Sequence, residues 1–158
     1  MGRPIISGRY ELGPFRDEFS HCGSTADLFA QVTASAHGNV RLAVDLLATA
    51  LNEMLEWAYR STDHNQSGEM SLEVVEDGNS LRLSLTLPLA AGQSARLLEQ
   101  LSGLQAEVAR GRLLRSVESE SAQCDPMLGL YWLAAEFGAI SGTEQGEDRV
   151  RLNLDLQG

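Results

Sequence analysis

The chain has 158 residues, a formal net charge of −10 and a pI of about 4.6. That length fits one domain with a core, and the acidic balance argues against nucleic acid and anionic membrane surfaces, whose phosphates need a basic partner. All 12 basic residues are Arg, so a phosphate-loop lysine or a Schiff-base lysine is excluded.

Residues 1–8 contain Gly, Pro and Ser and predict a loose tail. Tyr10 and Leu12 predict a short strand before Gly13-Pro14, with an irregular link after it. Ser24 or Thr25 is the expected cap of a helix through Leu28, Phe29 and Val32, ended by His37-Gly38-Asn39. From Asn39 to Ser61 apolar residues recur every three or four positions (Leu42, Leu46, Leu47, Ala50, Leu51, Met54, Leu55, Ala58). That is the strongest helix of the chain, with Asn39 as its N-cap. Glu69–Glu76 and Leu81–Leu87 alternate apolar with polar residues around Asp77-Gly78-Asn79, the pattern of an antiparallel hairpin. Ser94–Ala109 reads as one helix, and Leu113, Leu114 and Val117 predict a short helix or ordered lid within Arg110–Gln123. Asp125-Pro126 is placed to open a last helix that Gly138 ends. Ile140 starts a possible strand, and Arg149–Leu156 alternates as a terminal one.

Asn52-Glu53-Met54-Leu55-Glu56-Trp57-Ala58 resembles the nucleotide-site helix of the GHKL ATPase superfamily. That helix reads Glu or Asn, three residues, Asn, Ala. Met127 to Ala139, with Gly129, is similar to the family's late glycine segment, which closes the lid over the phosphates. Val150–Leu156 looks like the family's final strand. The order helix, loop, hairpin, helix, lid, helix, strand matches over roughly residues 25–157. More narrowly, the chain is similar to small stand-alone GHKL-like proteins that accompany bacterial partner-switching systems. The resemblance implies an α+β fold: a two-layer α/β sandwich with helices on one face of a mixed, mostly antiparallel sheet. Residues 1–24 would be a tail and short strand, and 25–158 a single GHKL-like domain.

The departures from the family pattern set the functional expectation. Trp57 stands where the Mg²⁺-ligating Asn belongs, and indole offers one N–H and no oxygen lone pair. Leu87-Pro88-Leu89-Ala90-Ala91-Gly92 lacks the Asp that would hold adenine. Asp125 and Pro126 stand near Gly129, where an acid repels phosphate and proline removes a donor. The resemblance therefore implies a non-catalytic signalling protein that regulates a partner by binding it. The candidate partners are an anti-sigma antagonist, a phosphatase, a histidine kinase or a response regulator, and a homodimer is compatible with this. No cofactor is expected. ATP and Mg²⁺ enter only under an alternative, a divergent Ser/Thr kinase using Glu53 as base. A second alternative is a small-molecule binder using the vestigial pocket.

Each candidate residue has two readings. Glu53 is a general base or an Arg-paired helix carboxylate. Asn52 makes a residual polar contact or lies on the surface. Trp57 caps the emptied pocket or fills the core. Arg110, Arg112 and Arg115 form a docking patch for an acidic partner or a solvated lid face. His21, His37 and His64 share no ligand spacing with each other or with Cys22 and Cys124, so no metal site is expected. The cysteines show no paired spacing and no secretory leader precedes them, which predicts free thiols in the cytoplasm. No apolar run reaches the length of a membrane span.

Overall fold

The computed structural model describes residues 2–36, 44–62, 67–89, 91–102, 104–118, 127–137, 140–146 and 148–157. In chain order these form β1 (Arg3–Glu11), α1 (Leu12–Asp17), α2 (Ser20–Ala36), α3 (Val44–Ser61), β2 (Glu69–Asp77) and β3 (Ser80–Pro88). Then follow α4 (Ala91–Leu101), α5 (Ala106–Glu118), α6 (Leu128–Phe137), β4 (Ile140–Glu144) and β5 (Arg149–Gln157). The fold is α+β. One five-stranded sheet runs β1-β2-β3-β5-β4, and every neighbouring pair is antiparallel. The mixed sheet expected from the resemblance is thereby corrected.

Period-two alternation gives the sheet two unlike faces. Val74, Leu83, Leu154 and Ile140 lie opposite one another in register across four strands and are all buried. Leu72, Leu85 and Leu152 form the next row, and Gly142 ends it. A Cβ at Gly142 would fall 2.9 Å from Leu98 and 3.1 Å from Leu101, so glycine is what lets α4 approach β4. The other face is polar and self-paired. Ser84 Oγ donates to Asn153 Oδ1 at 2.7 Å, and Arg151 Nε donates to the same oxygen at 3.2 Å. Arg82 bonds Asp155 at 2.8 Å, and Arg151 reaches Glu73 at 3.4 Å. Helices cover the leucine face, and one hydrophobic core joins both layers. The hairpin is as expected: Asp77 pairs with Ser80 around a two-residue loop, and Gly78 takes φ +62°.

Four expectations change. Residues 3–8 are not a loose tail but most of β1, whose Ile5, Ile6 and Tyr10 pack against the core while β2 satisfies its backbone. Gly13-Pro14 does not break the chain into an irregular link. It lies in the first turn of α1, where proline's missing N–H has no intrahelical partner to lose. Ser24 and Thr25 do not cap α2, which begins at Ser20 after the turn Cys22 N–H to Phe19 carbonyl, 3.1 Å. Ser94–Ala109 is not one helix. α4 stops at Leu101, beside Ser102-Gly103 in the sequence, where glycine costs a helix about 1 kcal/mol relative to alanine. The Arg110–Gln123 stretch is helical to Glu118, as part of α5. Leu42, the Asn39 cap, His37-Gly38, Asp125-Pro126, Gly138 and Cys124 lie outside the described residues.

Candidate functional site

Helix α3 organises the candidate site because α2 and α6 pack on either side of it above the sheet. Its apolar stripe (Leu47, Leu51, Met54, Leu55, Ala58) is buried. That stripe fixes the rotation of the helix and so fixes where its polar residues point.

Asn52 lies on the α2 flank. Its Nδ2 donates to Glu56 Oε1 at 2.9 Å, one helical turn on, and a Cβ at Gly23 would be 4.0 Å from its Oδ1. Glu56 in turn lies 3.8 Å from Arg60, whose guanidinium sits 5.7 Å over the Phe19 ring. Cys22 is buried close by, and burial followed by the Glu56 charge pushes its thiol up to about 11.

Glu53 lies on the α6 flank. Its carboxylate rests against the first turn of α6, where a Cβ at Gly129 would stand 2.4 Å from Oε2. A side chain there would make the carboxylate swing aside. Burial first, then the neighbouring Glu56, raises the Glu53 pKa above its ordinary value, against the lowering effect of Arg60.

Trp57 is 3% exposed and forms the wall of a cleft of about 320 Å³. Arg60 and Ser61 continue that wall at the end of α3. Leu89 follows β3, Met127 precedes α6, and Gln93, Arg96, Leu97 and Gln100 of α4 complete the lining. The two charged lining residues among those described are both arginines. A second groove, about 390 Å³, lies between β1, α1 and α2 and is lined by both Arg9 and Glu11, so it has no such bias.

Of the four residues singled out from the nucleotide-site resemblance, Glu53 and Gly129 meet, Trp57 faces the cleft, and Asn52 points toward α2. Trp57 is buried and also lines the cleft. Glu53 does not line the cleft. Arg110 donates to the Ala135 carbonyl of α6 at 3.2 Å. Arg112 donates to the Gln100 carbonyl of α4 at 3.1 Å and lies 5.6 Å over Tyr131. Arg115 is exposed and bonds its own helix at Gly111, 3.3 Å. Two of the three arginines therefore brace α5 against its neighbours. Arg96, Leu97 and Met127 went unnoticed as site residues in sequence. The available signal was the amphipathic turn Gln93–Leu97, shortly after the end of β3.

Among the described residues no group of three His, Cys, Asp or Glu is placed to hold a metal ion, and no helix is long and apolar enough to cross a membrane. No protein-family model and no curated protein matches this chain.

Proposed function

We propose that the chain is a non-catalytic signalling domain of GHKL-like fold that regulates a partner protein by binding it. The observation that carries this reading is Trp57. It lies on the helix that resembles the family's nucleotide-site helix, at the position of the metal-ligating Asn, and it lines the cleft. An indole N–H cannot serve as an oxygen ligand for Mg²⁺. Two neighbours support the same reading. Leu89 lines the cleft where the resemblance calls for an adenine-holding carboxylate. Glu53, the base of the kinase alternative, rests against Gly129 away from the cleft lining.

The partner classes are those the resemblance implies: an anti-sigma antagonist, a phosphatase, a histidine kinase or a response regulator. The proposed docking element is α5, which presents Arg115 beside Leu114, the latter 64% exposed. Arg110 and Arg112 hold that helix in place and add positive charge to a protein of net charge −10. Charge at the rim of such a surface acts mainly on association rate and weakens with salt.

Calorimetric titration with Mg-ATP tests the reading. No binding is expected up to about millimolar nucleotide, which corresponds to a free energy weaker than roughly −4 kcal/mol. A micromolar isotherm overturns it in favour of the kinase.

A further inference from the structure

We infer that the Trp57 cleft is a binding site for a small organic anion with an apolar body, a carboxylate, sulfonate or phosphomonoester taken up without a metal ion. This rests on the reading of the chain as a binding domain and names what its cleft receives.

The cleft divides into two parts. The indole of Trp57 with Leu89, Leu97 and Met127 forms an apolar wall. Arg60 and Arg96 supply the charge. Arg60 is shared with Glu56 at 3.8 Å. Arg96 has no ion pair or hydrogen bond among the described residues, and it is exposed. The chain carries 22 acidic residues against 12 basic ones, yet no described carboxylate lines this cleft. An unpaired guanidinium beside an apolar wall is complementary to an anion attached to a ring or short chain. The anion takes charge-assisted, often bidentate, bonds from the guanidinium. The body covers the apolar wall.

Size limits the class. About 320 Å³ is at the lower end of ligand pockets and suits one fused ring system or a short acyl chain. Arg60 and Arg96 supply the positive charge, and among the described residues no carboxylate lines the cleft to ligate a cation.

The test uses the whole chain and the fluorescent sulfonate 8-anilinonaphthalene-1-sulfonate, read by its emission and by energy transfer from tryptophan. One saturable site is expected, with loss of affinity as salt rises. Arg96→Gln should weaken binding about tenfold and Arg60→Gln/Arg96→Gln further, while Arg96→Lys, which keeps the charge and loses the bidentate fork, should fall between wild type and Arg96→Gln. Arg96 is on the helix surface, and a circular dichroism spectrum confirms that its variants fold. Trp57→Phe, which keeps a smaller aromatic wall, should weaken binding less than Arg96→Gln and lose most of the energy transfer, leaving only that from Trp132. Decanoate should displace the probe, and decanol at equal concentration much less. Non-saturable binding, or equal affinity in wild type and Arg96→Gln, overturns the inference. Mg-ATP separates the two claims. Displacement of the probe by micromolar Mg-ATP sinks the non-nucleotide reading and leaves an anion site. No displacement by Mg-ATP, together with no probe site, sinks the inference alone.

Discussion

The two regions that helix α3 presents to the rest of the molecule obey different rules. Its apolar stripe, Leu47, Leu51, Met54, Leu55 and Ala58, meets many neighbours at once, and no one of them decides its position. Its polar flanks, Asn52, Glu53, Glu56 and Arg60, each depend on one or two partners. The stripe fixes the helix by volume, and the flanks fix it by charge and by pH. Packing of the first kind tolerates conditions and punishes truncation. Packing of the second kind tolerates truncation and responds to conditions.

The largest effect should therefore come from the stripe. Leu55 is fully buried, and Leu55→Ala should lower stability by about 2–5 kcal/mol in a urea melt, the range for buried leucine truncation. A loss below about 1 kcal/mol would erase the contrast, because it would mean that the core relaxes around α3.

Gly129→Ala comes next. The new methyl would crowd Glu53 Oε2, the end of a flexible side chain that can swing aside at small cost, while alanine gains about 1 kcal/mol in helix propensity. A small net gain is expected in the wild-type background and a larger one with Glu53→Ala, since the truncated side chain no longer reaches the methyl. A double-mutant cycle reads that difference. Additive effects would place the Glu53 carboxylate elsewhere.

A smaller effect, with a defined pH course, belongs to Glu53→Gln. The folded protein holds the Glu53 proton more tightly than the unfolded chain does, because burial and Glu56 raise its pKa. The stability linked to that proton is complete below the unfolded value of 4.5 and falls as pH rises through the folded value. Glutamine removes that loss. Chemical melts should show the variant more stable than wild type at neutral pH and equal to it in acid. A constant difference across pH would mean that the carboxylate is not the cause.

Cys22 should show the smallest effect of all at neutral pH. Its folded pKa is about 11 against an ordinary 9.0, so its stability contribution is full below pH 9 and declines toward pH 11. With the thiol buried as well, a disulfide reagent should label it slowly in the native state and rapidly in denaturant. Fast native labelling at pH 7 would show that α2 opens away from α3.

How much of this was legible follows the same divide. The α3 stripe, the β2–β3 hairpin and the β5 alternation are written as periods in the sequence, and the structure has them. The end of strand β1 around Tyr10 was legible, but residues 3–8 were hidden because Gly, Pro and Ser there read as loop, while the ladder is supplied by β2 from far along the chain. Helix α1 was hidden because Pro14 punctuates an interior but not a first turn. At the site, Glu53, Trp57 and Gly129 could be named, but not the direction of each side chain. Glu53 meets α6 and Asn52 turns toward α2 because the apolar stripe sets the rotation, and no local pattern records which helix lies on which flank. Arg96 was invisible as a site residue, since an exposed arginine gains meaning only from the wall opposite it.

The two ends of the sheet decide whether it stops. A row of unpaired backbone groups is a template on which a neighbouring molecule can extend the ladder toward fibrils. At one end, β4 is only five residues long, and α4 lies over Gly142 with Leu98 and Leu101. At the other, β1 is nine residues long, but Pro4 contributes no donor, the register shifts between Pro4 and Ile6, and Arg3 and Arg9 place charge on the strand. Growth in either direction meets a terminator. The sheet is thus open at both ends without offering either edge as a long, flat ladder.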